Sequence, residues 1–265
     1  MKINSFFYDL KLKISLFLRT KNYKTLLYST REDLIHNLSI FKKLNLKYDN
    51  LLEFYDVNRK FNYLAFGALK EFYKKKSIKI LEIGTFDGAF ANFLGNKFKN
   101  SKIYTIDLQD NDLNFIHSYG RSNKKELKKF LNKRKKNLSL PNIFFYQAKS
   151  QIFLKKFKNY FDIIWVDGDH KDPVVSQDIL NAYLAVKKEG FVLIDDIASK
   201  SNKGNPNKLR TNYESSLQMG EGSHYDPMYS LNYLKKNRKL KFYLLNKLIR
   251  PYNFIWNTKI GIFRK

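Results

Sequence analysis

The sequence predicts an α/β fold, in which helices cover a mostly parallel, doubly wound sheet of seven strands. Apolar runs of strand length recur between residues 78 and 195, and segments of helical length separate them. Three of these runs end in an acidic residue. This alternation is typical of a parallel sheet whose ligands bind at the carboxyl ends of its strands.

The first predicted strand, residues 78–83, is followed by a turn that contains two glycines. The strand is a nearly continuous apolar run with Glu82 at its carboxyl end, as expected for a buried parallel strand. Gly84 and Gly88 bound the turn, and a helix is predicted over about 88–98. A glycine turn before a helix lets backbone N–H groups approach a polar ligand.

The second predicted strand, residues 102–107, ends at Asp107, which follows Gly84 by 23 residues. A carboxylate at the tip of a neighbouring strand can accept both hydroxyls of a ribose. Phe86 stands where a dinucleotide-binding turn would have its middle glycine, so the match to that fingerprint is poor. The turn is therefore predicted to bind a nucleoside without a pyrophosphate.

The remaining elements follow the same alternation. Ser150 has the residue type of a helix N-cap and is predicted to start a short helix. The last two strands are predicted to pair as a hairpin. In order, the further predicted elements are a basic helix 122–137, a strand 142–148, the helix from Ser150, a strand 161–167, a helix 173–187, and strands 191–195, 241–245 and 260–265.

Two carboxylate clusters follow the fourth and fifth predicted strands. One is the run Asp167-Gly168-Asp169-His170 and the other is the pair Asp195-Asp196. Converging carboxylates repel one another unless a cation or a proton joins them, and oxygen ligands select a hard ion such as Mg²⁺. The alternative is structural: Asp169 and His170 would cap the next helix, and Asp195-Asp196 would bind backbone amides.

The acidic residue, spaced glycines and second acid resemble the nucleoside-binding edge of class I S-adenosylmethionine-dependent methyltransferases, whose Rossmann-like fold has an antiparallel seventh strand. The E-x-G-x-aromatic-x-G form resembles the catechol-type, metal-dependent O-methyltransferases. The VDGDH run, with Asp178 in the next helix, resembles bacterial methyltransferases that include enzymes for antibiotic sugars and surface glycans; the likeness covers 78–197. The resemblance implies cofactor binding by Glu82, Gly84, Thr85, Phe86, Gly88, Asp107, Leu108, Ser150 and Asp167.

The same resemblance implies a metal site and a base. In the catechol-type enzymes, positions matching Asp167, Asp195 and Asp196 hold a divalent cation, here expected to be Mg²⁺. Those enzymes have Asn at the last position, so Asp196 departs from the pattern. His170 stands where they place a lysine base, and a histidine near neutral pKa can accept a proton. In the resembling family the residues just after the third strand lie against the adenine, which here implies Ser150 and Gln151.

Composition restricts the chemistry and suggests partners. The chain of 265 residues has no cysteine, which excludes disulfides, thiolate zinc sites and cysteine nucleophiles. Its net charge of +26 attracts polyanions, and between Arg121 and Lys158 the only acidic residue is Glu126. The alternative is a lysine-rich composition spread over a solvated surface.

The amino-terminal segment has helical apolar spacing over residues 3–18, but charged residues interrupt it, so neither a transmembrane span nor a signal peptide is expected. It would dock on its own domain, on a partner subunit of a homo-oligomer, or on an anionic membrane surface. The predicted location is the cytoplasm, including the inner membrane surface.

The predicted organisation is a helical segment 1–76 packed on a methyltransferase domain 77–265. Residues 198–226, rich in Gly, Asn and Ser, are predicted to form a lid or substrate loop. The predicted function is a Mg²⁺-assisted O-methyltransferase for a sugar, glycan or small polyol hydroxyl. The alternatives are an RNA methyltransferase and a non-catalytic protein that binds polyanions or membranes.

Overall fold

The computed structural model of the chain describes residues 31–47, 63–74, 76–119, 121–198, 226–246 and 258–265. The predicted helix at 3–18 and all but the two end residues of the predicted loop 198–226 lie outside the described residues. By its internal contacts the chain divides into two units, one of residues 1–74 with 245–255 and one of 75–244 with 256–265. The first unit contains helices α1 (Arg31–Lys43) and α2 (Tyr63–Tyr73).

The described strands form one sheet of seven, in the spatial order β3-β2-β1-β4-β5-β7-β6. This order confirms the predicted doubly wound sheet, because the chain winds outward from β1 in both directions. The strands are β1 (Lys79–Ile83), β2 (Lys102–Asp107), β3 (Ile143–Gln147), β4 (Phe161–Val166), β5 (Val186–Ala198), β6 (Phe242–Asn246) and β7 (Thr258–Arg264).

Helices alternate with these strands, as the sequence predicts. Proline at position 173 precedes α7, where a missing N–H costs no helical hydrogen bond. The described helices of this part of the chain are α3 (Ala89–Lys97), α4 (Leu113–His117), α5 (Lys124–Asn137), α6 (Ser150–Leu154), α7 (Val174–Ala185) and α8 (Asp226–Arg238). Among the described residues, none of the helices is both long and apolar enough to span a membrane.

The central strands have neighbours on either side, and consecutive residues along β1 and β4 are buried, so both faces of these strands are covered. Ile80 in β1 pairs with Ile103 of β2 and with Ile163 of β4, and all three are fully buried. Trp165 of β4 is 1% exposed and is among the largest fully buried side chains. The point where the chain reverses its winding therefore lies between β1 and β4, at the carboxyl ends of rigid strands.

The fifth strand pairs with β4 in parallel and with β7 in antiparallel orientation. The antiparallel β7 confirms the prediction that the resemblance carried. The pairing of β5 with β7 shifts register between Ile194 and Ile197, so Asp195 and Asp196 lie in an irregular part of the strand. Strand β5 is longer than the predicted 191–195, because its pairing continues through this irregularity.

Candidate functional site

The turn after β1 requires both of its glycines. Gly84 has φ +97°, and a Cβ placed on it would lie 2.1 Å from the backbone oxygen of Asp167. Gly88 has φ +73°, and its Cβ would meet Leu138 at 2.9 Å. L-residues rarely adopt such φ values, so glycine is needed for both conformation and space. The tips of β1 and β4 are consequently in direct backbone contact, with Asp167 N–H donating to Ile83 O at 2.9 Å.

The carboxylate of Asp107 is joined to this turn at the tip of β2. Its Oδ2 accepts the N–H of Phe86 at 2.8 Å, and its Oδ1 accepts the N–H of Leu108 at 2.8 Å. Each carboxylate oxygen has about two acceptor positions, so one on each oxygen is left after these bonds. Burial raises the pKa of Asp107, while the two N–H groups and the charges of Arg121 and Arg134 oppose that rise.

Glu82 and Thr85 lie beneath the turn. Glu82 is 1% exposed and Thr85 is 2% exposed. The hydroxyl of Thr105 donates to Glu82 Oε2 and lies 2.6 Å from the hydroxyl of Thr85. Burial raises the pKa of Glu82 well above its usual range, and the neighbouring carboxylates, first Asp167, raise it further. These side chains support the turn from inside the sheet, whereas the ring of Phe86 above them is 44% exposed.

The predicted N-cap role of Ser150 is wrong. Lys149 occupies the N-cap position of α6 and makes no side-chain cap bond, and Ser150 is the first helical residue. The Ser150 hydroxyl instead donates to Oδ1 of Asp178 on α7, and Gln151 Nε2 donates to the same oxygen at 3.3 Å. A capping signal cannot reveal such a partner, because Asp178 is 28 residues away in the chain.

The predicted metal site at Asp167, Asp195 and Asp196 is not confirmed. Within the described ranges, which include Asp167, Asp195 and Asp196, no group of three or more His, Asp or Glu side chains is arranged to hold a metal ion. Asp195 is 3% exposed, whereas the Asp196 side chain is 20% exposed. Residues that follow one another in a strand point to opposite faces, and the left-handed φ of +51° at Asp196 turns the chain further.

His170 faces one of these carboxylates. Its Nε2 lies 3.9 Å from Asp196 Oδ2, and the two side chains are 17% and 20% exposed. Asp169 accepts the backbone N–H of Lys171 at 3.0 Å, a local turn bond and not the predicted cap of the next helix, whose N-cap position is occupied by Pro173. The loop after β4 thus presents His170 beside Asp196, with Asp169 holding the loop.

Two arginines near Asp107 were not identified from the sequence. Arg121 is 6% exposed, and its guanidinium lies 3.9 Å from the ring centre of Phe115 and 4.9 Å from that of Phe130. Arg134 of α5 is 4% exposed and forms an ion pair with Asp110. In the sequence each of them is only one basic residue in a lysine-rich segment. That pattern does not reveal that the side chain is buried against aromatic rings.

Helix α5 is also joined directly to the glycine turn. Lys133 Nζ lies 2.7 Å from Asp87 Oδ2, and Asn137 Nδ2 donates to the backbone oxygen of Asp87 at 2.7 Å. Helix α5 is also basic and largely solvent-exposed, and its exposed lysines are Lys124, Lys125, Lys128, Lys129, Lys133, Lys135 and Lys136. One helix therefore combines a candidate polyanion surface with a contact to the turn.

A known protein family matches the segment of the chain that contains these features. Residues 81–197 match the family model described as "Methyltransferase domain". The matched segment runs from β1 to β5 and includes Asp107, Asp167, His170 and Asp178. No curated protein sequence matches the chain.

Solved structures of low sequence identity are similar in fold. A Staphylococcus aureus protein described as a caffeoyl-CoA O-methyltransferase is 16% identical, with 86% of this chain and 96% of that one covered and a TM-score of 0.49. A Klebsiella pneumoniae protein described as an O-methyltransferase is 11% identical, with 88% and 89% covered and a TM-score of 0.48. Likenesses at these TM-scores carry no argument about substrate.

A spermidine synthase from Thermotoga maritima is 15% identical over 71% of this chain, with a TM-score of 0.43, and the match spans 53% of that enzyme's length. The similarity of this chain to methyltransferases therefore rests on the family match, the strand order and the glycine turn described above. Residues 81–197 are similar to a methyltransferase domain, and the seven-stranded sheet that contains them has a Rossmann-like methyltransferase fold.

Proposed function

We propose that the enzyme transfers a methyl group from S-adenosylmethionine to a hydroxyl of a sugar, glycan or other small polyol. The observation that carries the proposal is the arrangement around the tip of β1. Asp107 ends the strand on one side of β1, and His170 follows the strand on its other side. Open α/β sheets bind their ligands at this edge, beside the point where the winding reverses.

The donor set at Asp107 fits the nucleoside of this cofactor. The remaining acceptor positions of Asp107 can take the two ribose hydroxyls, while the Phe86 and Leu108 N–H groups fix the carboxylate in place. The 44% exposed ring of Phe86 offers an apolar surface beside it. Glu82 and Thr85 would act from beneath the turn, and Gly84 and Gly88 would allow its close approach.

When bound, S-adenosylmethionine supplies an activated methyl group, whose bond to sulfur breaks as its bond to the acceptor oxygen forms, with the electron pair staying on sulfur. His170 is proposed to take the proton that the acceptor hydroxyl loses. Protonation makes the imidazole a cation, and the carboxylate of Asp196, 3.9 Å away, stabilises that cation. Asp169 keeps the loop that carries His170 in its turn conformation.

The divalent cation that the resemblance implies does not fit the residues of this structure. Asp195 is buried whereas Asp167 and Asp196 are partly exposed, and among the described residues these carboxylates form no group of ligands. His170 Nε2 lies 3.9 Å from Asp196 Oδ2. We therefore assign no step of the reaction to a metal ion.

An RNA acceptor is the second candidate function, and the exposed lysines of α5 are the observation in its favour. They provide sequence-independent attraction to phosphate, which does not by itself define a methyl acceptor. Anionic lipid or another polyanion would be attracted in the same way. A non-catalytic polyanion binder would require this surface but not the Asp107 and His170 arrangement.

Calorimetry with S-adenosylhomocysteine tests the cofactor part of the proposal. Asp107→Ala should weaken binding about tenfold or more, because a bond to a charged acceptor contributes about 1.5–3 kcal/mol. Asp112→Ala is the matched control, since that carboxylate caps α4 and accepts the N–H of Asn114. Equal affinities in both variants would place the nucleoside elsewhere.

Release of S-adenosylhomocysteine in the presence of acceptors tests the substrate class. We expect turnover with free sugars, nucleotide sugars or glycan fragments. Turnover with tRNA alone would favour the second candidate. If the enzyme binds S-adenosylhomocysteine tightly but turns over neither the sugar-containing acceptors nor tRNA, the proposed substrate class is wrong. The proposed cofactor site would be unaffected by that result.

A further inference from the structure

A buried acid on α7 connects two parts of the proposed site. Asp178 is 1% exposed. Its Oδ1 accepts hydrogen bonds from the Ser150 hydroxyl and from Gln151 Nε2, the latter at 3.3 Å. Both donors belong to the first turn of α6, directly after β3. In the proposed site, this is the segment that lies against the adenine.

The other carboxylate oxygen of Asp178 faces the loop after β4. A Cβ placed on Gly168 would lie 3.6 Å from Asp178 Oδ2, which is ordinary van der Waals contact. Gly168 follows Asp167, and His170 lies two residues further along the same loop. One carboxyl group therefore lies between the segment on the cofactor side, to which it is hydrogen-bonded, and the loop that carries the proposed base, which it approaches at Gly168.

A purely structural role would leave these contacts without consequence for the reaction. Burying an acid is nevertheless energetically unfavourable compared with burying an apolar side chain, because removing a carboxylate from water costs free energy unless hydrogen bonds compensate. The Ser150 hydroxyl donates its proton across to Asp178 on α7. The sequence thus uses polar groups from two helices to join them at this point.

We propose that Asp178 is a positioning residue that holds the Ser150–Gln151 segment and the Gly168–His170 loop in fixed relation to each other. The proposal rests on the function proposed above, because it gives each segment a role in that reaction. Through Ser150 and Gln151 it acts on cofactor affinity. Through the loop at Gly168 it acts on the placement of His170, and hence on the rate of methyl transfer.

The charge of Asp178 makes this connection dependent on pH. Burial raises the pKa of Asp178 to about 7, the Ser150 hydroxyl opposes the rise, and the charge of Asp169 adds to it. Asp169 comes from the loop after β4, and the contacts from α6 are the neutral Ser150 and Gln151. Above pH 7 the ionised carboxylate accepts charge-assisted bonds from both donors, and these are stronger than the bonds of the neutral acid.

Three variants of the full-length enzyme test the role. Asp178→Ala removes both contacts, and we expect the dissociation constant of S-adenosylhomocysteine to rise about fivefold or more and kcat to fall at pH 8. Ser150→Ala should raise the dissociation constant and the KM for S-adenosylmethionine with little change in kcat. Asp178→Asn keeps an acceptor and should restore most of the activity that the alanine variant loses.

Asp172→Asn provides the matched control. Asp172 lies just before α7 and accepts a bond from the Ser176 hydroxyl, but it is exposed. It should leave cofactor affinity and turnover unchanged. The pH profile separates positioning from folding: wild-type affinity should rise between pH 6 and pH 8, and this rise should be absent in Asp178→Asn.

The outcomes are distinct. Folded Asp178→Ala with dissociation constant and kcat within twofold of wild type would overturn the proposal, as would an unchanged pH profile in Asp178→Asn. If Asp178→Ala does not fold, the other two variants decide. A dissociation constant of Ser150→Ala within twofold of wild type, or an unchanged pH profile in Asp178→Asn, would then overturn the proposal. Failure of wild-type enzyme to bind S-adenosylhomocysteine would instead contradict the proposed function itself.

Discussion

Lys133 on α5 and Asp87 in the glycine turn form an ion pair with 2.7 Å between Nζ and Oδ2. The Asp87 side chain is 13% exposed and that of Lys133 is 65% exposed. The ion pair joins a lysine of the basic helix to the segment that we propose contacts the cofactor. The lysines of α5 are therefore not equivalent to one another.

The first prediction separates the two roles of this helix. Reversing the charge of Lys125, Lys128 and Lys135 should weaken binding to RNA or anionic vesicles and lower its salt dependence, because each lost phosphate contact reduces counterion release. Cofactor affinity should stay unchanged. Lys133→Glu is the contrasting variant: it should weaken polyanion binding by one contact and also weaken S-adenosylhomocysteine binding, because it repels Asp87.

Filter binding at several salt concentrations and calorimetry with S-adenosylhomocysteine give the two measurements. Loss of cofactor affinity in the triple variant would show that the exposed lysines themselves act on the turn. Unchanged cofactor affinity in Lys133→Glu would show that the ion pair does not hold the turn.

The second prediction concerns the backbone contact between β1 and β4. Gly84→Ala should lower the free energy of unfolding by more than about 2 kcal/mol, because it combines an unfavourable φ with a Cβ that cannot be accommodated. The Cβ would lie 2.1 Å from Asp167 O. Gly168→Ala is the control, since its Cβ would meet Ile83 at 3.4 Å and Asp178 at 3.6 Å.

The control should change stability by no more than about 1 kcal/mol. Urea denaturation followed by circular dichroism measures both variants. Similar losses at Gly84 and Gly168 would mean that the turn relaxes around the added methyl group.

The third prediction is a pH dependence of stability that arises from Glu82. Its pKa is raised well above 4.5 in the folded chain, so folding takes up a proton between these two values. The stability that the protonated form contributes is fully present below the unfolded pKa. It is lost as pH rises through the raised folded pKa, so the unfolding free energy should fall across that interval.

Glu82→Gln should reduce this fall, because the amide does not ionise, and the variant should gain stability relative to wild type at alkaline pH. Melting temperatures between pH 5 and pH 9 test this. Glu126→Gln is the control, because its side chain is 55% exposed and pairs with Lys129. Parallel curves for wild type and Glu82→Gln would contradict the linkage.

The fourth prediction concerns the base. His170→Gln should lower kcat by about 10²–10⁴, the range for loss of a positioned base, and leave the dissociation constant of S-adenosylhomocysteine unchanged. Part of the rate should return at high pH, where the acceptor ionises unaided. Asp196→Asn should lower kcat less, because it removes a partner of the imidazolium and leaves the imidazole in place.

A chelator distinguishes this arrangement from a metal site. Since Asp196 faces His170 and the three carboxylates form no group, we expect turnover to persist in excess chelator. Loss of turnover that Mg²⁺ restores would mean that Asp167, Asp195 and Asp196 rearrange around an ion. Full activity in His170→Gln would show that His170 is not the base. It would not contradict the proposed cofactor site.

Periodicity and turn chemistry predicted the strands, their order of appearance and the glycine turn, because these follow from local sequence. The resemblance supplied the antiparallel seventh strand, and the structure confirms it. The side-chain partners were less accessible. Ser150 was predicted as a helix cap from its residue type, but its partner is Asp178 on another helix. Capping rules consider only residues that are close in sequence, and Asp178 is 28 residues away.

The metal prediction shows a related limit. It assumed that carboxylates at the ends of neighbouring strands converge, and among the described residues no group of three or more such side chains is arranged to hold an ion. The strand that bears two of them is irregular, with a register shift between Ile194 and Ile197 and a left-handed φ at Asp196. Neither feature has a signature in the residues themselves, whereas the glycines of the first turn do.

The pairing of β5 with β7 has a consequence for biosynthesis. Phe191 pairs with Arg264, and Ala198 pairs with Thr258, so β5 obtains its antiparallel neighbour from residues 60 to 73 positions later in the chain. A ribosome adds roughly 5–20 residues per second, so β5 waits seconds with this edge unpaired. During that interval the strand bearing Asp195 and Asp196 has an open edge, at which a nascent chain is exposed to mispairing and to chaperone binding.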